Sequence, residues 1–187
     1  DIHSLDYRCG RNRSVTGARS GVATVVAGSK VGFKPGSWTV KVSEGCNFGV
    51  TKSEEDRKTG TTNGEYFKVA QMGPYHATRW FNLWDRPSRF SEFNFTIPAT
   101  TPPGFYLLIV EGIYPKLDLE RTQLYASCAQ VEIVGLGGVH TENRGRWGFP
   151  GARGFRFDEG VLIPMDIQHN KVDLAKYKVP GPKVWTG

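Results

Sequence analysis

Long apolar runs are missing from this chain. Nowhere do about 18 hydrophobic residues follow one another, so no segment reads as a membrane-spanning helix. A 3.6-residue hydrophobic period is never sustained long enough to argue for a long helix, and neither an internal repeat nor a domain linker is visible. Lys and Arg exceed Asp and Glu by 24 to 18, a net charge of +6. Yet they never gather into a basic block, and no nucleic-acid signature occurs, so nucleic acid is not an expected partner. A Gly-x-Ser-x-Gly elbow and zinc-ligand spacing are both absent, and the scattered carboxylates single out no acid/base pair. Cysteine is scarce, at three residues. That number allows one disulfide with one residue left over, or three thiols.

What the chain does contain is glycine, proline and aromatics: 23 Gly, 11 Pro and 12% Phe, Trp and Tyr. This composition favours many short strands joined by tight turns. With 187 residues, one domain spanning 1–187 around one core is expected. Gly21 to Phe33 (GVATVVAGSKVGF) reads as two strands around Ala27-Gly28-Ser29. Ser37 to Val42 (SWTVKV) alternates as a half-buried strand. Ser43 to Glu65 is polar and reads as a long loop. Glu65 to Val69 and Arg89 to Ile97 alternate again, the second placing Phe90, Phe93 or Phe95 and Ile97 around an exposed Asn94. Pro98 to Gly104 is a turn, Phe105 to Glu111 a near-continuous apolar strand, and Gln123 to Val134 the longest strand. After a glycine-rich break at Gly135 to Gly138 and a basic loop, Gly160 to Ile167 (GVLIPMDI) is a last apolar stretch. Short strands with regular turn punctuation predict an all-β sandwich with long decorating loops.

Two Asn-x-Ser/Thr sequons, at Asn12 and Asn94, are compatible with a glycosylated, secreted protein. The dispersed positive charge reads either as a solvated basic surface or as affinity for an acidic polysaccharide or acidic partner. No leader-like apolar segment follows Asp1, so the sequence reads as a mature or trimmed chain.

Several stretches, in order, resemble one family. Asp1 to Cys9 (DIHSLDYRC) is similar to its segment ending in Arg-Cys, and Ala23 to Lys34 to its next strand pair. Tyr66-Phe67-Lys68 stands where the family has Trp-Phe-Lys. Phe95 to Leu108 (FTIPATTPPGFYLL) resembles its Ile-Pro…Pro-Ser-Gly-Gln-Tyr-Leu-Leu motif. Gln123 to Gln130 (QLYASCAQ) resembles Gln-x-Tyr-x-x-Cys-Ala-Gln. Glu159 to Ile163 and Pro180 to Trp185 (PGPKVW) look like the closing pair. These are the marks of the lytic polysaccharide monooxygenases of auxiliary activity family 9. The resemblance implies an immunoglobulin- or fibronectin-like sandwich, and it pairs Cys9 with Cys128. Closing a loop of roughly 120 residues would stabilise by about 4–5 kcal/mol through lost chain entropy. Cys46 is then left in the polar loop, as a free thiol or paired to a segment outside the sequence.

Members of that family hold copper between the amino group and imidazole of an N-terminal His and a second His from a loop. A Tyr lies axial to the metal, and an outer His and Gln assist. Nitrogen donors suit copper, and outer groups tune it. Carried over residue by residue, the match is uneven. Tyr125 stands at the axial Tyr and Gln123 at the outer Gln, whereas Lys116 replaces the outer His. The brace loop is shortened around Lys34-Pro35-Gly36-Ser37 and holds no His. Asp1 aligns inside the family pattern, so the first His is also missing. His3, His76, His140 and His169 match no brace position. Tyr125 and Gln123 equally suit an ordinary sandwich core, as a Tyr with a buried hydroxyl and a polar partner.

The expectation is therefore a secreted, extracellular, monomeric relative of the monooxygenases without a complete copper site. It has no resident cofactor and binds polysaccharide, acidic polysaccharide included, or another cell-wall partner. Tyr177 stands where the family often presents a flat aromatic to cellulose, although a buried anchor for the tail is a second reading. Trp80 and Trp84 are further sugar-stacking candidates, with a plain core position as the other reading of each. The competing expectations are copper-dependent oxidative cleavage, if an upstream His exists, and protein binding through the basic loops between Arg144 and Arg156.

Overall fold

The computed structural model describes residues 9, 16–17, 19–34, 45–52, 66–74, 92–138, 160–162 and 173–187, with backbone alone at 45–52 and 66. Seven strands run through them: β1 (Val22–Val26), β2 (Lys30–Phe33), β3 (Gly45–Lys52), β4 (Tyr66–Met72), β5 (Phe93–Thr96), β6 (Gly104–Tyr114) and β7 (Gln123–Val134). Five form one sheet in the order β1-β7-β6-β3-β4, and β2 pairs with β5 in a second. All pairings are antiparallel except β1 with β7.

Alternation decides which residues fill the space between the sheets. On β6, Tyr106, Leu108 and Val110 point inward, opposite Val131, Ala129 and Ser127 of β7. They meet Phe93 and Phe95 of β5 and Phe67 and Val69 of β4 in a single cluster. Tyr106, Ile97 and Ile133 are fully buried. Each such side chain contributes about 1.5–3 kcal/mol through burial alone. The hydroxyl that Tyr106 carries into the core is donated to the Pro102 carbonyl at 2.7 Å, which offsets its desolvation. The stacked rings of Phe33 and Phe95, 6.4 Å apart, tie β2 to β5.

The two strands expected between Gly21 and Phe33 are present, but they do not pair with each other. β1 joins β7 and β2 joins β5, so the intervening turn crosses from one sheet to the other. At this corner Ala27 donates to the Val134 carbonyl at 2.8 Å, and Gly28 donates to that of Ile97 at 2.9 Å. Gly28 takes φ +89°, which an L side chain rarely adopts.

A second expectation fails. The polar stretch from Ser43 to Glu65 is not loop throughout, because β3 lies within it, hydrogen-bonded to β4 on one side and β6 on the other. Cys46, expected in a loop, sits in that strand opposite Gly112 and Met72. Two neighbouring strands supply β3 with backbone partners, and this outweighs the weak propensity of Gly45 and Gly49. The β3–β4 register shifts between Phe48 and Gly49.

The outer face of β6 and β7 carries Leu107, Ile109, Leu124, Ala126 and Cys128, which pack with Cys9. Cys9 and Cys128 form a disulfide with Cα atoms 5.2 Å apart, the pairing that the resemblance implied. The tail closes the other end of the large sheet. Trp185 donates its backbone N–H to the Lys68 carbonyl of edge strand β4 at 2.8 Å, and its ring stands edge-on to Phe67. Lys68, 1% exposed, donates Nζ to the Pro180 carbonyl and to Gln71 Oε1, both at 2.8 Å. The exposed N–H and C=O groups of a sheet edge are thereby partly covered. The expected strand at Ser37 to Val42 and most of the Gly160 to Ile167 stretch lie outside the described residues. Among those described, no helix is long and apolar enough to cross a membrane.

Candidate functional site

The inward-facing row of β7 does not end where the core ends. Ile133 and Val131 are 0% and 2% exposed, but Ser127, Tyr125 and Gln123, further along the same face, are open to solvent. The physical reason is length. β6 and β7 run 11 and 12 residues, whereas β2 and β5 have four each. The short sheet, among the described residues, leaves one end of the long pair uncovered.

On this open end, register brings four side chains into one line. Gln123 lies opposite Tyr114, and Tyr125 lies opposite Gly112. The Tyr125 hydroxyl donates to Gln123 Oε1. Two residues past Tyr114, Lys116 turns back and places Nζ 3.7 Å from the centre of the Tyr114 ring. A cation over an aromatic face is worth about 0.5–1 kcal/mol at a site of this exposure. Among the described residues, no carboxylate pairs with this ammonium.

The backbone around Lys116 is fixed by Thr122. Its hydroxyl accepts from the Lys116 N–H at 3.0 Å and lies 3.0 Å from the Asp118 carbonyl and 3.2 Å from that of Val161. Leu162 makes a parallel bridge to Lys116. Gly160, just before, takes φ +88°, and a Cβ there would lie 1.9 Å from the Lys178 carbonyl. Between Lys116 and Thr122, Asp118 pairs with Arg121. The Arg121 backbone N–H is the main cause holding the Asp118 carboxyl below the ordinary value of 3.8; desolvation opposes it, and the Arg121 guanidinium adds to the lowering.

Tyr177 is not on this surface. It is 8% exposed and packs with Leu174 and Val179, and its hydroxyl donates to the Gly160 carbonyl at 2.8 Å. The expectation of a sugar platform is corrected here, because a side chain that is 8% exposed presents no open ring face to a pyranose. It anchors the tail instead, and through Gly160 it steadies the segment that flanks Lys116. The alternative that Tyr125 is a core tyrosine also fails, since at 38% exposure its ring is half open. Asn94 is exposed on β5, with Nδ2 donating to Glu92 Oε1 at 2.7 Å. Trp80, Trp84, Asn12, the four histidines and Pro35 to Ser37 lie outside the described residues.

Sequence reasoning missed Tyr114 and Thr122. The signal for Tyr114 is the two-residue spacing to Lys116, which places both on one side of an extended strand. Thr122 carries no such signal, since its contacts are made by a loop closing on itself.

The donor chemistry decides what this face holds. Copper binding of the expected kind needs imidazole nitrogen. The face offers a phenol, a carboxamide and an ammonium, and among the described residues no three His, Cys, Asp or Glu side chains converge. These residues alone do not fit a copper brace. A cavity of about 440 Å³ among the described residues is on the opposite side of the sheet beside the Cys9–Cys128 bridge. Its buried polar side chain, Gln130, donates to the Gly17 carbonyl at 2.6 Å. Lined by Val22, Ala23 and Leu107 with no charged group, it offers little to orient a ligand, so the open end of β6 and β7 is the better candidate.

Comparison with known proteins gives the same frame. The chain is 32% identical to AA9 family lytic polysaccharide monooxygenase U of Thermothielavioides terrestris, over 100% of this chain and 75% of that one. It is 32% identical to monooxygenase C of Emericella nidulans, over 100% and 78%. It spans only 56% of monooxygenase G of Aspergillus tamarii, at 30% identity. The crystal structure of HiLPMO9B superposes with a TM-score of 0.77 at 25% identity, covering 100% of this chain and 82% of that one. Residues 1–177 match the family described as Auxiliary Activity family 9 (formerly GH61), and the chain belongs to that family.

Proposed function

We propose that this chain is a secreted, polysaccharide-binding member of the family that works without a complete copper brace, and that its glycan is acidic. The observation that carries this reading is the Lys116 ammonium on the Tyr114 ring, beside the Tyr125–Gln123 pair. The family resemblance puts a histidine at Lys116. A lysine there neither ligates copper nor passes protons as an imidazole does. It does offer a fixed positive charge next to a hydroxyl, an amide and an aromatic ring, a combination that suits a uronic acid: carboxylate to the ammonium, ring hydroxyls to the amide.

Glycan pull-down with the purified, N-terminally sequenced protein, together with Cu(II) titration by calorimetry and electron paramagnetic resonance, tests both halves. Retention on insoluble uronate-bearing glycan is expected to fall in high salt. Replacing Lys116 by Gln should weaken it about two- to fivefold, since a half-open ion pair contributes about 0.5–1 kcal/mol. Equal retention on neutral cellulose, unchanged by Lys116→Gln, would remove the acidic assignment.

The second reading is copper-dependent oxidative cleavage. Family membership and the retained Tyr125 and Gln123 favour it. Stoichiometric copper binding with a nitrogen-rich spectrum would establish that reading and overturn the first.

A further inference from the structure

We infer that Asn94 carries an N-linked glycan on the outer face of the small sheet. The Asn94-Phe95-Thr96 triplet is the acceptor pattern, and three observations of the folded chain make it an accessible site. The alternation of β5 buries Phe93 and Phe95 and leaves both Asn94 and Thr96 exposed, so the two residues the pattern requires share the solvent face. Across the ladder, among the described residues, that face carries only Lys30 and Gly32, opposite Thr96 and Asn94. Neither sets a bulky ring or branched chain beside the amide. The amide itself lies over Gly32: a Cβ there would come within 2.2 Å of Asn94 Oδ1. Its Nδ2 reaches toward Glu92 Oε1 at 2.7 Å. The nitrogen carries two hydrogens, so one can be replaced by a sugar while the other keeps the Glu92 contact.

The transfer balances with a lipid-pyrophosphate-linked oligosaccharide as donor. A bond forms between Nδ2 and the anomeric carbon of the first N-acetylhexosamine, and the bond from that carbon to the pyrophosphate oxygen breaks. The lipid pyrophosphate leaves with the electron pair, and the amide gives up one proton. No oxidant or reductant is required. The glycan then stands on the outer side of the β2–β5 sheet, away from the line of Lys116, Tyr114, Gln123 and Tyr125 on the inward-facing surface of β6 and β7.

The test is the full chain secreted from a eukaryotic host and mapped by peptide mass spectrometry before and after peptide-N-glycosidase in heavy-oxygen water. The expected result is a glycosylated peptide containing Asn94, in which the enzyme converts that asparagine to a heavy-labelled aspartate. The intact mass should fall by one glycan in Asn94→Gln and equally in Thr96→Ala, which keeps the asparagine, while Thr96→Ser retains the glycan. Carrying Asn12→Gln in every variant isolates this site from the other sequon. A secreted wild-type protein whose Asn94 peptide is wholly unmodified before enzyme treatment overturns the inference. So does an intact mass that Thr96→Ala leaves unchanged.

Discussion

Replacing Tyr177 by Phe removes a single oxygen atom, one that takes part in a buried hydrogen bond. The hydroxyl donates to the Gly160 carbonyl, and both groups are shielded from water. Losing that hydrogen bond costs about 1 kcal/mol, and leaving the buried carbonyl short of a partner brings the total to about 1–2 kcal/mol. For a domain of this size, that lowers the melting temperature by roughly 2–8 °C. Tyr177→Ala adds a cavity beside Leu174 and Val179 and should cost about 3–5 kcal/mol. Differential scanning calorimetry of the two variants, paired with glycan pull-down of Tyr177→Phe at a temperature where it is fully folded, separates anchor from platform. An anchor shifts stability in both variants and leaves glycan retention by the folded Phe variant close to wild type. Unchanged melting in Tyr177→Phe, with Tyr177→Ala stable but unable to hold glycan, would refute the reasoning and return the ring to the surface.

Reduction of Cys9–Cys128, or a Cys9→Ser/Cys128→Ser double variant, opens a closed loop with a sequence separation of 119. It should cost about 5 kcal/mol by loop entropy, read as a drop in melting temperature of roughly 10–20 °C. Gly160→Ala should destabilise by more than about 2 kcal/mol in chemical denaturation, because the left-handed backbone and the Lys178 carbonyl both oppose a Cβ. Asp118 has a folded pKa below 3.8. Its contribution is therefore fully present above that value and lost as pH falls through the lower folded one. The melting-temperature gap between wild type and Asp118→Asn should accordingly be widest near neutrality and close in acid; a gap that widens on acidification would contradict the assignment.

Strands that own their burial pattern were legible in the sequence. In β5 and β6, buried and exposed positions derive directly from hydrophobic alternation and from a continuous apolar run. β7 was legible as a strand, but its period could not say that the inner row changes from core to surface between Ala129 and Tyr125. That change depends on how far a separate, shorter sheet extends. β3 was hidden for a related reason: its stability comes from having a neighbour on each side, and no local window contains those neighbours. Tyr177 shows the same limit from the side of the site. A tyrosine in a proline-rich tail reads alike whether its ring faces water or a glycine carbonyl, and only the fold of the tail onto Gly160 decides. The Cys9–Cys128 pairing came from family resemblance, since three cysteines alone leave the partners open.

The parallel pairing of β1 with β7 bears on how the chain is made. Val22 lines up with Gln130, and Val26 with Val134. Because a polypeptide leaves the ribosome amino end first, β1 emerges long before β7 and waits without its partner while β2 to β6 are made. Val22 and Val26 remain exposed even in the finished fold, so during that interval the strand offers bare backbone and valine to any neighbour. Cys9 waits equally long for Cys128. The arrival of β7 in one movement gives β1 its ladder, Cys9 its bridge and β6 its second neighbour, before the tail, made later still, closes on β4. A nascent chain stalled before residue 123 would have none of these.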